Sequence, residues 1–295
     1  MTDRPYAAHE VLVAPARPGR ALWRLFAGLV MAAVIVFGLN AVLQAVVLSV
    51  APIGWAGDLA TGHRPGSMLI LLGSFGFVIV GVFAAAHLVQ RRAPLGLIGP
   101  PGRAVVQFWR VLRLLLLFGL VLFALPPYDM GAPLVPNLAF GRWLALLPLA
   151  LVAILIQVSA EEILFRGYLQ QALAARFRPP AVWLLLPSVL FALGHFMPSE
   201  AGPNAGLIAI WAGCFGILMA DLTARAGTLG PAIAVHFFNN MVALLIFSVP
   251  ESLNGLSLFI LPFSSDDTGP MRAWLAVDFV LMFLTWLVAR IAIRR

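Results

Sequence analysis

Eight apolar runs, at residues 25–51, 67–90, 105–125, 143–165, 181–197, 205–224, 229–249 and 271–291, dominate the chain and limit what it can become. Each holds about 20 residues, the number a helix needs to cross ~30 Å of hydrocarbon. In lipid, every backbone N–H and C=O must find its partner within the protein, so runs of this length fold as helices. The sequence therefore predicts an all-α polytopic membrane protein with about eight transmembrane helices. The composition of the 295 residues agrees: 62% are hydrophobic and only 11% charged. The mean hydropathy of +0.98 lies well outside the range of soluble domains.

Charge supplies the orientation. There is no lysine, so all 19 basic residues are arginine. Arg4, Arg17, Arg20 and Arg24 precede or open the first run, and Arg91, Arg92, Arg103, Arg110 and Arg113 surround the second connection. Arg166, Arg176 and Arg178 fall at the fourth connection, Arg225 at the sixth, and Arg290, Arg294 and Arg295 at the end. Only Arg64, Arg142 and Arg272 belong to the alternate connections, which instead carry Asp58, Asp129, Glu200, Glu251, Asp266 and Asp267. Short cytoplasmic loops collect arginine, so both termini are expected in the cytoplasm. The net charge of +7 then reports orientation. No basic stripe with interleaved aromatics suggests a nucleic-acid partner. The one cysteine, Cys214, excludes disulfides within the chain and reads as small apolar packing.

Residues 1–20 are polar and proline-containing and read as a flexible cytoplasmic tail, followed by a single membrane domain over 21–295. The Pro/Gly-rich stretches 93–103 and 126–136 read as loops. Trp23, Trp55, Trp143 and Trp274 lie near span ends, as in an interfacial belt. A chain rich in arginine, alanine and leucine without lysine suggests a GC-rich bacterial genome, hence the bacterial inner membrane.

Ionisable side chains inside spans are costly, which makes each a functional candidate. They are His87, Glu161, Glu162, His195, Asp221, His236 and Asp278, with Asn240 as an amide companion. Three sets recur at i, i+4, on one helix face: Glu162 with Arg166, Phe191 with His195, and His236 with Asn240. Glu161 points about 100° away from Glu162. This arrangement lets Glu162 and Arg166 neutralise each other and leaves Glu161 available. Asn239 reads as a packing residue and Asp221 with Arg225 as a structural pair. His87 and Asp278 are expected to make buried hydrogen bonds. The fourth and fifth runs form a hairpin turning at Arg178-Pro179-Pro180, and Glu161 and His195 lie equally far from that turn. The two are therefore expected to face each other. The polar stretch 166–180 is expected to project into the cytoplasm as the hairpin tip, which leaves the site shallow in the inner leaflet.

A carboxylate, two imidazoles and an amide at one depth suit hydrolysis. Glu161 assisted by His195 can activate water, and His236 with Asn240 can stabilise the oxyanion on a scissile carbonyl. The same atoms offer a metal reading, because one glutamate and two histidines form a recognised catalytic zinc set. Glu161, His195 and His236 would be the ligands. No HExxH, Gly-x-Ser-x-Gly, phosphate-binding loop or dinucleotide fingerprint is present.

The three motifs EEILFR, FALGH and HFFNN, in that order, resemble the EExxxR, FxxxH and HxxxN motifs of the CPBP family of intramembrane proteases. That family includes type II CAAX prenyl endopeptidases and bacteriocin self-immunity proteins. The resemblance covers about residues 140–250, which would be the catalytic core. It implies that Glu161 activates water with His195 as partner, that His236 and Asn240 hold the oxyanion, and that Glu162 pairs structurally with Arg166. Phe191 supports the site as the first residue of its motif. The family is commonly labelled metalloprotease, yet a metal-free glutamate mechanism also fits its residues. No cofactor is favoured, since an asparagine beside His236 suits an oxyanion better than zinc. The implied partner besides the bilayer is a peptide or protein substrate, a lipidated or membrane-anchored one included. A transporter or a non-catalytic interaction or immunity scaffold is the alternative function. A transporter would carry inverted repeats and matched broken helices, and none is visible.

Overall fold

The computed structural model describes residues 5–52, 55–125 and 133–294. The expected loop at 126–136 therefore lies outside the described residues over 126–132, as do Arg4, Asp129 and Arg295.

All eight apolar runs become helices. They are α1 (Leu22–Val50), α2 (Pro65–Val89), α3 (Pro101–Ala124), α4 (Phe140–Arg176), α5 (Pro180–Gly194), α6 (Ala205–Ala226), α7 (Gly230–Ile246) and α8 (Thr268–Ile293). Proline marks several starts: Pro101 opens α3, Pro180 opens α5 and Pro231 stands in the first turn of α7. There the missing N–H costs nothing, because the first turn has no intrahelical acceptor. At the end of α6, Gly227 takes φ +69°, the left-handed cap that closes a helix.

The protein is thus an all-α polytopic membrane protein. Among the described residues six helical segments are long and apolar enough to cross a bilayer, and α5 and α7 are shorter. The 15 residues of α5 make only about 22 Å of helix. The 37 residues of α4, by contrast, run ~55 Å, well beyond a hydrocarbon core.

Connections alternate between two ends of the bundle. At one end Thr61 accepts from the Leu253 amide, Asn137 Nδ2 donates to the carbonyls of Asn254 and Ser257, and Asn204 Nδ2 donates to those of Ser265 and Asp267. Here too lies a small sheet of two-residue strands, β1 (Val135–Pro136), β2 (Phe247–Ser248) and β3 (Phe259–Ile260). In it β3 pairs antiparallel with β1 and parallel with β2.

The opposite end corrects two expectations. Residues 7–19 are not a loose tail: they form short helical turns with His9, Leu12, Val13, Ala16 and Gly19 buried. Nor does the stretch after Arg166 project freely. Tyr168, Leu169, Gln170, Gln171, Ala172, Leu173 and Ala175 are all buried beneath that N-terminal segment and the 90–99 connection. Gln171 Nε2 donates to the Leu97 carbonyl, and Arg92 donates to Gln171 Oε1. The polar residues of this stretch thus read as solvent-seeking in sequence but hold elements together inside.

The core runs through the middle, where α6 packs most extensively on α5 and α7 most extensively on α3. Small residues allow the approach: a Cβ on Gly216 would lie 2.9 Å from the Ser188 Cβ, and one on Gly230 only 2.1 Å from the Ala104 carbonyl oxygen.

Candidate active site

α4 supplies the acids. Immediately after Glu162 it widens into a π-helical turn over Ile163–Leu169. Such wide turns are rare and recur at functional positions. Glu162 and Arg166 are fully enclosed, at 0% and 1% exposure, and Arg166 Nη1 donates to Glu162 Oε1 at 3.1 Å. The guanidinium also donates to the Gly216 carbonyl at 3.2 Å and lies over the rings of Phe191 (4.9 Å) and Phe165 (5.8 Å). A buried charge needs such compensation, because its lost hydration is costly. Glu162 has a further partner that i, i+4 spacing does not reveal: His236 Nδ1 stands 2.8 Å from the same Oε1. The pair expected to support the site structurally also bonds one of its histidines directly.

Glu161 points elsewhere, as its 100° rotation requires. Its side chain keeps 16% of its exposure. Oε1 accepts from Gln157 Nε2 at 2.7 Å, and Oε2 lies 3.5 Å from His236 Nε2. His236, on α7, therefore sits between the two carboxylates. Asn240, one turn further along α7, donates through Nδ2 to Gln157 Oε1 at 2.8 Å. Asn239 reaches Asn240 Oδ1 at 3.5 Å.

His195 was expected to face Glu161, and no hydrogen bond joins the two among the described residues. Among the described residues its hydrogen bond is to the Phe191 carbonyl, 2.9 Å from Nδ1, and its ring lies tilted against that of Phe191 at 4.4 Å. Two features of the chain explain this. α5 ends at Gly194, which leaves His195 on the cap with φ −102° and ψ 2° and not on a helix face. α5 also leans mainly on α6 and meets α4 over Ile163–Arg176, beyond Glu161. A carbonyl can only accept, so Nδ1 carries the hydrogen, and in the neutral ring Nε2 keeps its lone pair. Phe191 joins the two histidines: its ring centroid lies 6.2 Å from that of His236, and Phe215 closes the same wall at 5.0 Å.

Among the described residues no three His, Cys, Asp or Glu side chains gather into a set that could hold a metal. His236 Nδ1 is committed to Glu162, and His195 is turned to its own helix end. The zinc set of Glu161, His195 and His236 is thus not assembled in this geometry, and no step below passes through a metal.

Residues outside the site also fall into place. Asp221 and Arg225 form the expected i, i+4 ion pair at 2.8 Å, and Asp221 additionally accepts from Tyr6 and Trp286. Cys214 is free and packs against the core. His87 is exposed, and among the described residues neither it nor Asp278 has a hydrogen-bond partner, against the expectation of buried bonds. Gln157 was missed in sequence, although a polar residue at i−4 from Glu161 inside an apolar run is the same signal that exposed the other pairs.

Fold and site define an α-helical, multi-span membrane protein with an acid–imidazole–amide constellation among its central helices. Residues 142–242 match the family described as Rce1-like, type II CAAX prenyl endopeptidase. That match supports the resemblance to the CPBP family over this stretch. The Bacillus subtilis (strain 168) protein YyaK, itself uncharacterized, is 29% identical over 259 residues, spanning 82% of this chain and 84% of its own. No solved structure matches.

Proposed function

We propose that the protein is an intramembrane endopeptidase of the bacterial inner membrane that hydrolyses a peptide bond near the cytoplasmic face, with both termini cytoplasmic. One observation carries the reading: Glu161, in an otherwise apolar span, has one carboxylate oxygen held by Gln157 and the other left without a hydrogen-bond partner beside His236.

In the proposed reaction Glu161 takes a proton from a water whose oxygen bonds to the scissile carbonyl carbon. His195, with its Nε2 lone pair, orients that water. The oxyanion is met by the second amide hydrogen of Asn240 and by His236 Nε2, which carries a proton when the ring is charged. When the C–N bond breaks, Glu161 returns its proton to the leaving amine, so one water is consumed per bond cut. The substrate is a peptide or protein reached at the membrane, a lipidated or membrane-anchored one included.

The test is cleavage of a quenched-fluorescence peptide in which a prenylated cysteine is followed by three further residues, by protein in lipid nanodiscs. Glu161→Gln is expected to lower turnover by about 10²-fold or more while the protein stays folded, and His195→Ala by a smaller factor. Extensive chelation is expected to leave wild-type activity intact. Equal cleavage by wild type and both variants would mean a non-catalytic scaffold or transporter.

A further inference from the structure

We infer that Gln157 is a positioning residue of this site: its side-chain amide sets the Glu161 carboxylate and the Asn240 amide in one geometry. The inference rests on the peptidase reading. Gln157 stands four residues before Glu161, so both project from the same face of α4. It is 6% exposed, and the stretch 149–156 before it holds only alanine, leucine, isoleucine and valine. Burying an amide is costly unless its atoms are bonded, so a retained glutamine needs a reason.

The network fixes which way round the amide lies. An ionised carboxylate can only accept, so the nitrogen must face Glu161 Oε1, at 2.7 Å. The oxygen then faces α7 and must meet a donor, which orients Asn240 with Nδ2 inward at 2.8 Å. Neither choice is free once the first is made. A primary amide offers a donor and an acceptor on one rigid plane and carries no charge. With Oε1 tied down, Oε2 is left to approach His236. With one hydrogen of Asn240 tied down, the other is directed away from Gln157, where the proposed oxyanion donor is needed. Gln157 touches no reacting atom; it acts through the two residues that do.

The competing role is a plain bolt between α4 and α7, and the experiment must separate the two. Gln157→Met keeps the volume and loses both bonds. Gln157→Glu keeps the acceptor for Asn240 and sets a second carboxylate against Glu161. With the prenylated-cysteine peptide in nanodiscs, Gln157→Met is expected to lower kcat by about 10- to 100-fold with KM within about threefold, since the lost interactions act on the transition state. Gln157→Glu is expected to move the acid limb of the kcat–pH profile upward, because two adjacent carboxylates hold a proton more tightly. The double variant Gln157→Met with Asn240→Ala should be worse than either single one by less than the product of their effects. Should Gln157→Met fold poorly, Gln157→Glu carries the test by its pH profile. A bolt would instead lower the melting temperature of both variants and leave kcat per folded molecule and the pH profile unchanged, which overturns the inference. The outcomes separate cleanly from those of the parent reading. If Glu161→Gln is dead while Gln157→Met is fully active, only the role of Gln157 falls. If wild type and Glu161→Gln do not differ, the peptidase reading falls and takes this role with it.

Discussion

Arg166 heads the largest side chains that the core hides completely, and every feature around it answers one charge. It shares Glu162 Oε1 with His236, so a single carboxylate oxygen joins α4 to α7 while the guanidinium reaches α6 through the Gly216 carbonyl. Replacing one member of a buried pair leaves the other uncompensated, at a cost of about 3–5 kcal/mol. Arg166→Met is therefore expected to destabilise strongly. The joint replacement Arg166→Met with Glu162→Gln should recover part of that loss, as judged by thermal unfolding in nanodiscs. At this scale the sequence was informative wherever a residue was both charged and out of place. Glu161, Glu162, Arg166 and His236 stood out because ionised groups in lipid need a reason. Gln157 did not, because an amide costs less to bury and so attracts less notice. The sharing of Glu162 by His236 was not legible either, because spacing along one helix says nothing about rotation between helices, and His195 left the helix face altogether.

Helices α3 and α7 show how closely two elements can approach when one residue is small. A Cβ on Gly230 would sit 2.1 Å from the Ala104 carbonyl oxygen, which is backbone and cannot swing aside. Gly230→Ala must therefore push α7 from α3. Since α7 carries His236 and Asn240, the displacement should be felt at the site as well as in stability. The expected outcome is a lowered melting temperature together with a loss of turnover per folded molecule of about tenfold or more, because misplacement by an ångström costs catalysis dearly. Gly102→Ala, with open space around its Cβ, is the control and should leave both unchanged. The existence and order of the helices were plain from hydropathy, since lipid permits little else. The extent of α4 and the brevity of α5 were not. The stretch 166–176 is polar, yet it stays helical and buried because other protein, not lipid or water, surrounds it.

That enclosure makes the N-terminal segment part of the folded body and gives it a pH response. Tyr6 donates to Asp221 on α6, a residue that Trp286 of α8 and Arg225 also bond, so the segment is tied to two helices. Gly227 packs so closely on it that a Cβ there would lie 2.6 Å from the Ala8 carbonyl oxygen. His9 is buried against the Trp183 ring at 4.7 Å with Nε2 unpartnered. Burial holds its pKa down at about 4 from an ordinary 6.5, against a weaker opposing pull from Glu10. A depressed histidine is neutral in the docked state over a range in which the released segment already binds a proton. Docking is therefore at full strength above pH 6.5, weakens as pH falls from there towards 4, and changes little below. The span corresponds to about 3 kcal/mol at ~1.4 kcal/mol per unit. Hydrogen exchange of amides 7–19 in nanodiscs should accelerate between pH 7 and pH 4.5 after correction for intrinsic rates. His9→Phe, which keeps the ring against Trp183 and cannot take a proton, should abolish that acceleration. An unchanged pH response in His9→Phe would assign the effect to another group, with Glu10, exposed and paired to Arg17, the nearest candidate.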